Sequence, residues 1–203
     1  MAAGTRAAAS YTGRTPAGLA VWLYPVMARV TLTVLKQYLA GLSADELGAD
    51  LADLFVKLDV VKDYYTLRLN GSDEDVAASY KARIKNEFFP ARGYGQARLS
   101  VARKAVNDYK RLAPPASLAE LMVYYVEMGV AFTNAYGDIS EPFYSSMEKM
   151  YASAADYVAK HGLRAEFQAR CKRIVADTSG IGWGFHDMLS QIYDEYFPDE
   201  YFE

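Results

Sequence analysis

From Leu118 to Tyr136 the chain runs almost without polar side chains: LAELMVYYVEMGVAFTNAY. Its strongly polar members are Glu120, Glu127 and Asn134, with Thr133 a milder one. Spacing by seven puts those three on one narrow stripe of a helix and leaves the remaining surface apolar. A helix that is apolar nearly all round belongs at the centre of a helical protein. The pattern therefore predicts a buried central helix over 118–136, with Glu127 as a carboxylate at its midpoint. Gly129 is placed to admit a close neighbour.

The rest of the chain, from Thr31 onward, repeats helical periods with clear punctuation and no convincing period-2 strand. Thr31 or Thr33 caps a short helix ending near Leu42. Ser43-Ala-Asp-Glu46 reads as a capping box, after which Leu47, Leu51, Leu54, Phe55 and Leu58 mark one apolar face. A helix from about Val60 stops at Asn70-Gly71. Ser72 caps the next, in which Val76, Tyr80, Ile84 and Phe88 recur every four residues until Pro90. A glycine-containing loop leads to a helix from about Ala97 to Leu112, ended by Pro114-Pro115. Ser117-Leu-Ala-Glu120 reads as a second capping box opening the apolar helix, and Gly137 closes it. Pro142 fits the first turn of the following helix, which runs to His161-Gly162. Helices over about Leu163–Thr178 and Phe185–Phe197 complete the chain. Short connections favour antiparallel neighbours. The expected fold is all-α, an irregular antiparallel bundle of about eight or nine helices around 118–136.

Residues 1–28 read differently. No Asp or Glu precedes Asp45, and the first twenty positions are mostly small residues with Arg6 and Arg14. A short signal peptide cleaved after Val26-Met27-Ala28, a transit peptide, and a late working start at Met27 all fit this composition. The expectation is a disordered extension over 1–28, not part of the mature protein if Met27 is the start, and a single helical domain over 29–203. No segment approaches the 20 or so apolar residues of a membrane span.

Composition narrows the chemistry. A formal net charge of −3 gives no whole-chain argument for nucleic acid. The single cysteine, Cys171, cannot close an intrachain disulfide, which points to a cytoplasmic setting. Two distant histidines and one cysteine offer no paired zinc spacing, so no metal or cofactor is expected, with carboxylate-only Mg²⁺ or Ca²⁺ binding left open. Seventeen tyrosines fit a core whose hydroxyls reach its rim better than a wet groove.

Four constellations stand out. Between Lys81 and Arg111 lie nine cations against two anions, and a helical wheel puts Arg103, Lys104, Lys110 and Arg111 on one face opposite Val101, Ala105, Tyr109 and Leu112. Such a face grips phosphates or simply meets water. The last seventeen residues carry six acids and no base, enough to neutralise it. Arg98 falls within the apolar arc of its helix and needs a carboxylate, and Glu127 needs a cation. Either one buried network contains both with nearby tyrosines, or Arg98 lies in the frayed first turn and snorkels out to solvent. In Thr178-Ser-Gly-Ile-Gly-Trp-Gly-Phe-His-Asp187 a helix rather than a strand precedes the glycines, and the phosphate-loop Lys-Ser/Thr is absent. A tight turn with Trp183 plugging the core is expected, and His186 lies on the apolar side of the last helix. Asp138, Glu141 and Glu148 form a small acidic group near Gly137. The candidates for nucleophilic catalysis are poor: Cys171 has no histidine at helical spacing, and Ser145, Ser146, Ser179 and Ser190 lack a nucleophile-elbow context.

Several stretches together resemble a known family: Lys36-Gln-Tyr-Leu39 with Leu42-Ser43, Val61-Lys-Asp-Tyr-Tyr65, Phe88-Phe-Pro90, Phe132-Thr-Asn-Ala-Tyr-Gly-Asp138, Pro142-Phe-Tyr144, and Gly180-Ile-Gly-Trp-Gly-Phe-His-Asp187 followed by Tyr196-Phe197. The chain is similar over about Leu32 to Phe197 to a bacterial family of small all-helical proteins known only as a domain of unknown function. That resemblance implies a fold and a cytoplasmic setting, and carries no activity or catalytic residue.

No motif specifies a reaction. The leading expectation is a non-enzymatic interaction or scaffolding module with a protein partner, no membrane association and no assigned oligomeric state. The alternative is nucleic-acid binding through Arg103, Lys104, Lys110 and Arg111. An enzyme would centre on His186 with Glu127 or Asp187 near Trp183, and requires His186 within hydrogen-bond reach of a carboxylate.

Overall fold

A computed structural model describes residues 29–70 and 72–198. Among these residues there are nine α-helices and no strand. They are α1 (Leu32–Ala40), α2 (Ala44–Lys57), α3 (Asp59–Asn70), α4 (Glu74–Phe88), α5 (Leu99–Tyr109), α6 (Pro115–Tyr136), α7 (Glu141–Lys160), α8 (Arg164–Ala176) and α9 (Phe185–Tyr196). The chain divides into two compact units between Asp50 and Leu51, within α2. The extension over 1–28 and the acids at 199, 200 and 203 lie outside the described residues.

In the first unit the local signals operate as written. Thr31 Oγ1 accepts from Val34 N at 3.4 Å to cap α1. At the start of α2, Ser43 N donates to Glu46 Oε2 at 2.8 Å, and Glu46 N donates back to Ser43 Oγ at 3.3 Å. This reciprocal box satisfies two otherwise orphaned donors. The Glu46 carboxyl is held below its ordinary value, first by the Ser43 backbone N–H and then by its hydroxyl.

The second unit is organised by α6, which packs on α4, α5, α7 and α8 and buries eleven of its 22 residues. The expectation of a central helix here is met. Pairwise contacts set the directions. Thr133 meets Tyr144 and Gly129 meets Met147, so α6 and α7 are antiparallel. Lys81 pairs with Glu120 and Phe88 stacks edge-on against Tyr125, so α4 and α6 are parallel. Arg164 donates to Tyr196 O while His186 reaches Val175 O, so α8 and α9 are antiparallel. Sequential neighbours thus alternate in direction, as their short connections require. At Gly129 an added Cβ would sit 2.2 Å from Met147 Sδ, so the absent side chain is what lets α7 approach.

Each large apolar side chain buried by α6 contributes about 1.5–3 kcal/mol. Truncating Leu121, which is fully buried, would cost about 2–5 kcal/mol. The start of α6 departs from expectation. Pro115 occupies the first turn, and Ser117 lies inside the helix rather than capping it. Glu120 is therefore free of the box and reaches across to other helices.

Five tyrosines (Tyr80, Tyr109, Tyr125, Tyr144 and Tyr151) are almost wholly buried in the core. Four send their hydroxyls to partners: Tyr80 to Asp63 at 2.8 Å, Tyr109 to Asp73 at 3.2 Å, Tyr144 to Asp138, and Tyr151 to Cys171 O at 3.0 Å. That is the rim-reaching core expected from composition. Tyr125 is the exception, with no well-formed hydrogen bond among the described residues.

Candidate functional site

The ion pairs join different residues from those expected. Glu127 receives Arg170 of α8 bidentately, Nε at 2.9 Å and Nη2 at 2.8 Å. Arg170 Nη1 also contacts Glu120, whose other oxygen takes Lys81 Nζ at 2.6 Å. A Lys81–Glu120–Arg170–Glu127 ladder thus ties α4, α6 and α8 along the polar stripe of the central helix. Hydrogen bonds donated to Glu127, opposed by desolvation and aided by Glu120, hold the Arg170 guanidinium well above its ordinary value. Partial burial pushes the Glu120 carboxyl up, but Lys81 and Arg170 more than offset this and its net shift is down.

Arg98 does not join Glu127. It lies at the N-terminus of α5, with a side chain 58% exposed, and clasps Glu87 bidentately at 2.8 and 2.9 Å. Glu87 is 95% buried in side-chain terms, so the pair lets one carboxylate sit in the core edge while its cation stays wet. Glu87 O also accepts from Ala97 N at 2.8 Å. Gly95 passes so near the end of α4 that a Cβ there would lie 1.8 Å from Phe88 O. Backbone and side chain together therefore fold the 90–98 loop back onto α4.

The four predicted cations Arg103, Lys104, Lys110 and Arg111 are all exposed. Lys104 pairs with Asp108, and Arg103 Nε donates to Leu99 O at 3.3 Å. Opposite them Ala105 and Tyr109 are buried, whereas Val101 emerges into solvent.

Trp183 does not plug the core. It is 63% exposed, and its backbone adopts φ +63°, a left-handed conformation that L side chains avoid. Its indole Nε1 donates to Asp138, which also accepts from Tyr144 Oη. The Tyr144 hydroxyl and then the Trp183 indole hold the Asp138 carboxyl below its ordinary value. Asn134 Nδ2 donates to Asp177 O at 2.9 Å. The two most recognisable motifs of the sequence, 132–138 and 180–187, are thereby joined. His186 is partly buried, with Nδ1 3.0 Å from Thr178 Oγ1 and 3.1 Å from Val175 O. These contacts orient its ring on the end of α8, and neither involves Glu127 or Asp187.

A further feature concerns the apolar face marked along α2. α2 and α3 bury no residue, and in the second unit Leu51, Leu54, Phe55, Leu58, Val60 and Tyr64 are exposed. Phe55 and Tyr65 meet edge-on, extending this apolar surface across both helices. Its rim alternates in sign, with Lys57 paired to Asp53 and Lys62 to Asp59. No group of three or more His, Cys, Asp or Glu side chains suited to a metal occurs among the described residues, and no described helix is long and apolar enough to cross a membrane. No curated protein matches the chain, and no solved structure matches it. Over residues 30–197, which include the whole central helix and both joined motifs, the chain belongs to a family of unknown function, DUF6155.

Proposed function

We propose that the protein is a non-enzymatic interaction module, acting in the cytoplasm of a bacterial cell, and that the apolar surface of α2 and α3 is its docking face. The observation that carries this reading is the exposure of Leu51, Leu54, Phe55 and Leu58, residues patterned as one helix face yet left without cover among the described residues. Contiguous exposed apolar surface rimmed by charge is characteristic of protein contacts. The occupant proposed is a second copy of this chain. A rim in which Asp53, Lys57, Asp59 and Lys62 alternate in sign can oppose itself across a two-fold axis with unlike charges in register.

Light scattering across a concentration series tests this. A dimer that reverts to monomer in Leu54→Asp/Phe55→Asp, with helicity unchanged, is the expected result. A wild-type protein monomeric at about 100 μM, far above the Kd of a stable interface, would overturn it.

Exposure of Arg103, Lys104, Lys110 and Arg111 favours the second reading, nucleic-acid binding. The pairing of Lys81, Arg98 and Lys104 with carboxylates leaves fewer cations for phosphate than the sequence promised. Fluorescence anisotropy with generic DNA and RNA decides it: absence of binding at low salt removes this reading.

A further inference from the structure

A cleft of about 770 Å³ opens between the loop before α5, the start of α5, the end of α6 and the first turns of α7. Its volume lies within the range of small-molecule sites. The polar lining consists of Gln96, Arg103, Ser140, Ser145, Ser146 and Lys149, and includes no carboxylate. Leu99, Phe132, Ile139 and Phe143 supply an apolar wall. Neither Arg103 nor Lys149 forms an ion pair among the described residues, although Glu148 interacts electrostatically with Lys149.

A second observation points to a ligand. Ser146 is 92% buried, lines the cleft, and its hydroxyl has no well-formed hydrogen bond among the described residues. Leaving a buried hydroxyl unsatisfied costs about 1–3 kcal/mol, so such groups are rare without a role. Behind it lies Tyr125, whose hydroxyl also lacks a well-formed hydrogen bond while the other four core tyrosines have partners. The Ser146 and Tyr125 hydroxyls lie side by side without a well-formed hydrogen bond between them, and Ser146, then Arg103, partly counters the upward push of burial on Tyr125. Arg103, Ser146 and Tyr125 therefore converge on one region. At the mouth, Ser140 precedes the 20-residue α7 and makes no side-chain cap, so the positive end of that helix adds to the field, with Glu141 offsetting part of it.

We propose that this cleft binds a small organic phosphate monoester with a flat apolar body. Arg103, Lys149 and three serine hydroxyls form a donor-rich set matched to a tetrahedral oxyanion. Phe132, Phe143 and Leu99 receive the apolar portion. The clasp of Arg98 on Glu87 sets the cleft's outer wall, because it holds the loop that carries Gln96 and Ala97. The site is separate from the docking face on α2 and α3, so failure of either reading leaves the other standing.

Isothermal titration of the full chain with phenyl phosphate tests the proposal, with inorganic phosphate, benzoate and phenol as comparison probes. One-to-one binding with Kd on the order of 0.1–1 mM is expected, with the three other probes each weaker. Arg103→Gln/Lys149→Gln should weaken binding about tenfold or more, the loss expected from removing two charge-assisted contacts. Ser146→Ala should weaken binding while leaving Tm unchanged or raised, since it removes an unpaired hydroxyl; a structural role would lower Tm and spare binding. No binding at about 10 mM phenyl phosphate overturns the site. Equal binding by the double variant overturns the assigned residues. Benzoate binding more tightly overturns the phosphate assignment, and inorganic phosphate binding equally well overturns the apolar wall's role.

Discussion

Replacing Arg170 with Met preserves much of the side chain's length and removes its charge, leaving Glu120 and Glu127 facing each other without their shared cation. Hydrogen bonds to charged groups contribute about 1.5–3 kcal/mol where they are protected from water. Here the side chains are 34% exposed for Arg170, 29% for Glu120 and 30% for Glu127, so solvent screens them considerably. A contribution of about 1 kcal/mol for each carboxylate is the reasonable discounted value. Arg170→Met should then cost about 2 kcal/mol, or a Tm decrease of about 4–8 °C for a chain of this length. Glu127→Gln should cost about half as much. The decisive measurement is a pair of double-mutant cycles by chemical denaturation. Arg170→Met with Glu127→Gln should show coupling of about 1 kcal/mol, and Arg98→Met with Glu127→Gln should show essentially none. Coupling of Arg98 to Glu127 as large as that of Arg170 would refute the ladder. So would an Arg170→Met protein melting within about 1 °C of wild type.

The ladder also sets a pH response. Glu120 has its folded pKa depressed below 4.5, so its stabilising effect is full above that value and is lost as pH falls through the folded pKa. Tm should begin to fall below about pH 4.5, less steeply in Glu120→Gln; identical acid limbs would contradict this. Burial raises the Glu148 carboxyl instead, giving the opposite sign: Glu148→Gln should gain in relative stability as pH rises past that group's ordinary range. Gly95→Ala should destabilise more than Gly129→Ala in thermal melts. The former meets the backbone oxygen of Phe88 at 1.8 Å, the latter a methionine side chain able to move, at a cost of about 1–3 kcal/mol. The reverse order would show that the loop is not held against α4.

What the sequence revealed follows the range of the interactions involved. Thr31, Ser43, Gly137 and Pro142 act within one helical turn, and all terminate or start helices where their chemistry indicates. The apolar stripe of 118–136 specified burial because its surroundings could only be other helices. Glu120 illustrates the limit: its spacing from Ser117 fits a cap, but Lys81 and Arg170, 39 and 50 residues away, supply stronger partners. Arg98 and Glu127 were each recognisable as charges needing partners, yet nothing local distinguishes Arg98 from Arg170. The α2 pattern identifies an apolar face without identifying what covers it. Trp183 looked like a core residue by composition; its left-handed backbone between two glycines turns the indole outward to Asp138. The cleft left little trace, since Ser145 and Ser146 are ordinary helix residues until Tyr125 and Arg103 are brought beside them.

The buried thiol of Cys171 gives the molecule a built-in clock. It is the sole sulfhydryl in the sequence, it is wholly enclosed, and burial pushes its pKa up to about 12. In the closed state it is therefore almost entirely protonated and inaccessible to a disulfide reagent. The Tyr151 hydroxyl holds the same residue's carbonyl, fastening this point of α8 to α7. Modification must await an opening of α8 from the helices packed on it, α6, α7 and α9, and each ~1.4 kcal/mol required for that opening slows it about tenfold. A single reagent thus times the release of α8 from the core, with no label added to the chain.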